Sequence, residues 1–373
     1  MIYKDFKGLK LSGLGLGNMR FPLLSNDQSD VDLEQAEKII DKAYELGVNY
    51  FDTAWAYHGG RSESILGRAL SKYPRESFYI SDKFPGFDVK NMARAREIFA
   101  EQLRRCGVER FDFYLLHNVS DNTLDGYMNE GSALIEYLLE EKAAGRIGHL
   151  GFSCHAELDG MRRFLDAHHN EMEFCQIQLN YLDWTYQHAR EKVDMLREYG
   201  LPVWVMEPVR GGRLSRLPKA VAEEFNSIFP NDTLPSAAFR FLQSIPGVTM
   251  VLSGMSSVTQ VEENAATWSN PRPMDAEEFE KIVDFGRRIS KSGMVPCTGC
   301  RYCVAGCPQQ LDIPALLTVY NELLFTNDVE AARTAIPEGR GPDMCVACHS
   351  CEKACPQELK VPGRLAELAE KLS

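Results

Sequence analysis

The chain has 373 residues, 44% of them hydrophobic, with a formal net charge of -12 and a pI near 5.3. That length suits one large domain plus a small module, and the acidic balance argues against nucleic acid or an anionic membrane as a partner. No apolar run reaches the roughly 18 residues that span a bilayer, and Met1 leads into a mixed charged segment rather than a signal peptide, so the expected location is cytoplasmic.

Short apolar runs alternate with amphipathic stretches from the start of the chain to about residue 290. The runs are Leu14–Met19, Val48–Thr53, Phe78–Lys83, Phe111–Leu116, Ile147–Phe152, Phe174–Leu179, Val203–Glu207 and Val248–Leu252. None alternates cleanly with polar residues, the mark of strands buried on both faces. Between them, Asp32–Leu46 carries apolar residues at steps of three and four, Ser62–Ser71 follows, and Asn91–Cys106 opens on a capping Asn. Helical patterns continue at Ala133–Ala144, Glu157–His168, Gln187–Tyr199, Pro235–Ser244 and Ser257–Ala266. This alternation predicts an α/β fold, a (β/α)8 TIM barrel over residues 1–290. A doubly wound open sheet is the alternative, but Gly13-Leu14-Gly15-Leu16-Gly17 does not fit the G-x-G-x-x-G turn that such a sheet uses.

Asp275–Ser290 reads as a further helix packed on the outside of the barrel, and Ser292-Gly293 breaks it. Residues 291–373 form a second, small module of α+β ferredoxin-like type. Cys297, Cys300, Cys303 and Cys307 precede Pro308, and Cys345, Cys348, Cys351 and Cys355 precede Pro356. Both runs read C-x2-C-x2-C-x3-C-P, the ligand pattern of bacterial two-cluster ferredoxins, whose fourth cysteine ligates the other cluster. The expected sets for two [4Fe-4S] clusters are Cys297, Cys300, Cys303 and Cys355, then Cys345, Cys348, Cys351 and Cys307. Zinc prefers paired ligands with a longer gap, and disulfides belong to exported chains, so both alternatives fit this spacing less well. Ile313–Ala335 reads as helical, Pro337–Pro342 as turns and Pro362–Leu372 as a last helix. Cys106, Cys154 and Cys175 read as small buried hydrophobes.

In a barrel of this type reactive groups project from the C-terminal ends of the strands. Asp52, Lys83 and His117 end three successive runs, and Tyr57 follows the first of them on a loop. A carboxylate can hold the ammonium, and the ammonium is expected to lower the tyrosine pKa from about 10. Such a tyrosine can protonate a carbonyl oxygen while hydride reaches the carbon.

Several segments carry a resemblance: Phe51-Asp52-Thr53-Ala54, Tyr57-His58-Gly59-Gly60-Arg61-Ser62-Glu63, Ser81-Asp82-Lys83, Leu115-Leu116-His117, and Gly148-His149-Leu150-Gly151-Phe152-Ser153. Together with Glu263-Asn264 after Gly254, they resemble the aldo-keto reductase superfamily over roughly residues 8–270, and with the cysteine tail its ferredoxin-like branch. The resemblance implies an oxidoreductase that interconverts a small carbonyl and alcohol with NAD(P)H, using Asp52, Tyr57, Lys83 and His117 as its catalytic tetrad. It implies Ser153 and Gln176 at the nicotinamide amide, where Cys154 and His155 replace the family's usual Asn. It implies Arg210, Gly211 and Gly212 on the phosphate side, and Glu263 and Asn264 at adenine. Gly254 and Gln260 stand where cations often hold a 2'-phosphate, with Ser256 close by. Met19, Phe21, Trp55, Phe84, Asn118 and Trp184 are candidates for lining the cleft.

Clusters pass electrons singly and hydride carries two, so a flavin (FMN) in the barrel, fed by a ferredoxin-like electron partner, is the alternative. A redox sensor or electron carrier without catalysis is a second one.

Overall fold

The computed structural model describes every residue except Asn26 and Ser292, together with all side chains but those of Glu130, Phe325 and Thr326. The break expected at Ser292-Gly293 therefore falls partly outside the described residues; Gly293 itself has a φ of +83°.

A two-stranded hairpin opens the chain, β1 (Tyr3–Phe6) paired antiparallel with β2 (Leu9–Ser12). Lys7 and Gly8 turn it, both with positive φ, as a two-residue hairpin turn demands. The eight apolar runs then supply β3 (Leu14–Gly17), β4 (Tyr50–Asp52), β5 (Tyr79–Phe84), β6 (Phe111–Val119), β7 (Ile147–Cys154), β8 (Cys175–Gln178), β9 (Val203–Met206) and β10 (Val248–Ser253). All pair in parallel and in sequence order, and β10 closes onto β3. The expected barrel is the one observed.

Inside it, side chains of a strand face the same way at every second residue. Tyr50, Phe113, Leu115, Phe174, Trp204, Met250 and Leu252 form one buried cluster, joined by Phe6 and Leu11 of the hairpin. Phe6 meets Trp204 edge-on at 4.9 Å between ring centroids. The hairpin thus fills the end of the barrel where the strands begin, and Lys4 Nζ donates to Val248 O at 2.6 Å.

The helices follow the expected pattern with one shift. Leu33–Glu45 is capped by Asp32, whose carboxylate accepts from Gln35 N at 3.0 Å. Asn91 does not cap the next long helix. Asp88 opens a 3-10 turn by accepting from Lys90 N, Asn91 donates its side chain to Pro85 O, and the α-helix starts at Ala95. At Gly67 a Cβ would lie 2.2 Å from the carbonyl oxygen of Cys106, so the helices Ser62–Leu70 and Ala95–Cys106 meet backbone to backbone.

The chain divides into two compact units, Met1–Pro208 with Ala238–Asp275, and Val209–Ala237 with Ala276–Ser373. The helix Ala276–Lys291 places Phe285 against Phe225 of the helix Lys219–Ile228, at 5.7 Å between ring centroids, and both belong to the second unit. The rest of that unit is built on Val295, Leu311, Ile313, Leu316, Leu317, Tyr320, Leu365 and Leu368, with Cys297, Cys303 and Cys351 in the same buried cluster. Helices and loops carry it, with no strand among its described residues. No helix among the described residues is long and apolar enough to cross a membrane.

Glu173 ties the hairpin to the barrel wall. Burial raises its carboxyl, but His149 Nδ1 (2.9 Å), Lys142 Nζ (2.5 Å) and Lys7 Nζ (2.6 Å) outweigh burial and hold it below the usual carboxylate range. A carboxyl depressed by folding contributes stability that is complete above the unfolded pKa and lost as pH falls through the folded one. The stability lost in Glu173→Gln is therefore expected to be largest near neutral pH. It should shrink steadily as pH falls below the ordinary carboxyl value of about 4, read as urea midpoints of both proteins across the acidic range.

Candidate active site

Register brings the polar strand ends together. Asp52 pairs with Ser81 across β4 and β5, and Lys83 with Leu115 across β5 and β6. Asp52 thus shares a face with Tyr50, Lys83 with Ser81, and His117 with Phe113 and Leu115. Each strand runs from an apolar layer into a polar one as it nears the C-terminal end.

Lys83 is fully buried. Its ammonium donates to Asp52 Oδ2 at 2.5 Å and to the Thr53 carbonyl at 2.7 Å. Burial raises the Asp52 carboxyl, and the Lys83 charge and hydrogen bond offset only part of this. The ammonium also lies 5.1 Å from the centroid of the Tyr57 ring. That ring stands edge-on to His117 at 5.9 Å. Phe87, an exposed aromatic with no distinguishing sequence context, covers His117 from another side at 5.5 Å.

The expected lowering of the Tyr57 phenol by Lys83 is not found. The phenol sits well above the ordinary tyrosine range, raised by burial first and then by Asp52 and Glu207, with Arg20 opposing. The physical reason is burial of the phenol, to which the nearby Asp52 carboxylate adds. Burial, with the charge of Lys83 next, pushes the His117 imidazole well below its usual value, so the ring is neutral near pH 7.

His58 fixes the loop that carries Tyr57. It stacks on Phe21, accepts from Phe21 N through Nε2 at 3.3 Å, and reaches the Gln28 carbonyl from Nδ1 at 3.1 Å. These bonds assign the Nδ1–H tautomer, and burial keeps the ring neutral by lowering its pKa.

Beside the tetrad, β6 is interrupted after His117. Asn118 adopts a φ of +63°, its N–H donates to Ser153 Oγ at 2.8 Å, and the ladder resumes at Val119. Ser153 pairs in register with Gln176. Three buried polar atoms here lack a hydrogen-bond partner among the described residues: His117 Nδ1, Asn118 Oδ1 and Gln176 Oε1. Buried orphans of this kind are rare and mark groups that a ligand satisfies. The two amide oxygens suit an amide-bearing ring, so Asn118 and Gln176 fit a nicotinamide. Asn118 brings an amide from the neighbouring strand where Cys154 leaves none. The Cys154 thiol is buried and pushed up to about 11, and the His155 imidazole is pushed down to about 4 by burial and Lys192.

Arg20 is a site residue that the strand-end pattern does not reveal. Its guanidinium pairs with Glu207 at 3.5 Å, and its carbonyl accepts from Ser256 Oγ at 2.6 Å. A Cβ on Gly254 would lie 2.6 Å from Arg20 Cγ, so the arginine stem runs through the space a side chain at 254 would take. Glu207 itself has a φ of +58°, and its carbonyl accepts from Asn180 Nδ2 at 3.0 Å. Gln260 Oε1 accepts from Ser256 N, Asn264 Nδ2 donates to Ser253 Oγ at 3.3 Å, and Glu263 is exposed.

In the second unit Gly211 and Gly212 turn with φ of +63° and +90°. The buried guanidinium of Arg210 donates to Pro296 O and, at 3.2 Å, to Gln357 Oε1. The cysteine runs converge. Burial raises the Cys303 thiol, and Cys300, Cys297, Cys355 and Cys351 all press it in the same direction. Burial likewise lifts Cys351 to about 11, with Cys345 and Cys348 adding to it. Cys297 Sγ also accepts from Gly299 N at 3.3 Å. Among the described residues no three His, Cys, Asp or Glu side chains gather as one single ion requires. A cubane spreads its four thiolates over four irons, and an all-sulfur set gathered from two loops fits it.

Removing one partner of a buried ion pair strands the other charge. Lys83→Met is expected to cost about 3–5 kcal/mol in denaturant unfolding, and Asp52→Leu added to it should recover most of the loss.

Comparison with known proteins agrees with this architecture. The aldo/keto reductase family model matches residues 13–287, and a 4Fe-4S dicluster domain model matches residues 296–360. The NADH-specific methylglyoxal reductase of Escherichia coli is 25% identical over 301 residues, 69% of this chain and 90% of that protein. L-galactose dehydrogenase of Arabidopsis thaliana is 27% identical over 307 residues, 74% of this chain and 90% of that one. The holo form of aldo-keto reductase AKR11C1 from Bacillus halodurans superposes with a TM-score of 0.61 at 26% identity, over 74% of this chain and 93% of its own. A closed parallel barrel with Asp52, Lys83, Tyr57 and His117 at its mouth, joined to a 4Fe-4S domain, is an oxidoreductase architecture, and the chain belongs to the aldo/keto reductase family.

Proposed function

We propose that the barrel reduces a small carbonyl compound to its alcohol, or runs the reverse reaction, with Tyr57 as the acid, and that the module holds two [4Fe-4S] clusters. One observation carries the first half: an ammonium locked between Asp52 and the Thr53 carbonyl, 5.1 Å from the Tyr57 ring.

A bound reduced nicotinamide supplies the hydride. Ser153, Gln176 and Asn118 hold its amide, and Glu263 and Asn264 face its adenosine end. With Gly254 and Gln260 uncharged, the chain favours NADH over NADPH, and the NADH-specific name of its methylglyoxal-reducing relative supports that choice. The raised pKa of Tyr57 keeps its proton in place at neutral pH. The phenol passes that proton to the carbonyl oxygen as hydride reaches the carbon, and the Lys83 ammonium faces the charge left on the ring. Neutral His117 orients the carbonyl through a nitrogen without a partner among the described residues.

Cys303 has Cys297, Cys300 and Cys355 near it, with Cys351 of the other run also close, and the crossed spacing makes Cys297, Cys300, Cys303 and Cys355 one ligand set. The neighbourhood of Cys351 supports Cys345, Cys348 and Cys351, with Cys307 completing the second. Such clusters belong in a reducing compartment like the cytoplasm and exchange single electrons with a ferredoxin-like partner.

Tyr57→Phe is expected to lower turnover of a small aldehyde by about 10²–10⁴-fold, leaving the cluster absorbance intact. An unchanged rate would remove Tyr57 from the chemistry. Because His117 is neutral well below pH 6.5, the pH profile of kcat should show no inflection near that value. Anaerobically purified protein should contain about eight irons and about eight inorganic sulfides per chain. Flavin among nucleotides released by acid would replace the nicotinamide reading with the flavin one.

A further inference from the structure

Arg210 is 1% exposed, on a turn that the chain enters with positive φ at three successive residues, Arg210, Gly211 and Gly212. A turn of this shape is costly for arginine and persists only where the surroundings hold it. What holds this one is the second unit. The guanidinium donates to the carbonyl of Pro296, the residue before Cys297, and to the side chain of Gln357, two residues after Cys355. Arg213, three residues on, donates to Thr318 Oγ1 at 3.0 Å.

Cys297 is the first cysteine of one run and Cys355 the last of the other. They belong to one ligand set under the crossed pairing. A single planar cation therefore pins the two loops that this cluster must join. Charge near a cluster and hydrogen bonding around its sulfurs are the levers that set its reduction potential. A fixed positive charge favours the form that has gained an electron.

We infer that Arg210 is a positioning residue for the cluster held by Cys297, Cys300, Cys303 and Cys355, clamping its two ligand loops together and raising its reduction potential above that of its neighbour. The inference rests on the two-cluster reading above, and it gives the loop after β9 an electron-transfer role distinct from cofactor phosphate binding. Arginine suits this position because its fork reaches a carbonyl and an amide oxygen at once, which a lysine ammonium does less well.

The test uses the whole chain, reconstituted anaerobically and titrated electrochemically while electron paramagnetic resonance follows each cluster. Arg210→Gln should move one couple to lower potential by about tenfold in its reduced-to-oxidised ratio, about 59 mV for one electron, and leave the other couple in place. Arg210→Lys, which keeps the charge, should stay near the unmodified value. Gln357→Glu, which keeps the clamp and cancels its charge, should lower the same couple, and it carries the test if Arg210→Gln loses iron. Two couples that ignore both Arg210→Gln and Gln357→Glu at full iron content overturn the inference alone. An unmodified chain that shows no cluster couple after reconstitution overturns the two-cluster reading and this inference with it.

Discussion

An ion pair inside a closed barrel has almost no water to fall back on. Lys83 and Asp52 face each other at 2.5 Å in such a place, and much of the site follows from that constraint. Neither charge can leave without stranding the other, so the ammonium is fixed to within a hydrogen bond. Burial of the Tyr57 phenol, with the Asp52 charge next, raises it out of the ordinary tyrosine range. The pair sets position: it holds a cation 5.1 Å from the centroid of the Tyr57 ring.

The wall around the pair was legible in the sequence because parallel strands buried on both faces leave uninterrupted apolar runs. All eight runs became strands, and the polar residues ending three of them arrived at one mouth because a closed parallel barrel points every strand end the same way. The hairpin escaped notice since Tyr3, Lys4, Asp5 and Lys10 dilute its apolar residues, although Lys7-Gly8 was a usable turn signal. The start of the helix at Ala95 turned on a local competition that Asp88 won over Asn91.

Other features lie beyond what a linear reading reaches. Arg20 and Glu207 are 187 positions apart, and nothing in either neighbourhood announces the other. The link between Gly254 and Arg20 is likewise three-dimensional, an absent side chain whose space another residue's stem has taken. Arg210 shows the converse: its glycine-flanked turn was conspicuous, yet its partners Pro296 and Gln357 come from the far end of the chain. The cysteine spacing, by contrast, was enough to read the 4Fe-4S domain that the dicluster model matches over residues 296–360.

The N-terminal hairpin has a consequence of its own. With Phe6 and Leu11 seated among Phe113, Phe174 and Trp204, the barrel is stoppered at the end where its strands begin. That end is closed by packing, and anything that comes to the polar strand ends must approach from the opposite side. A dozen residues at the start of the chain thus decide which of the barrel's two ends is available.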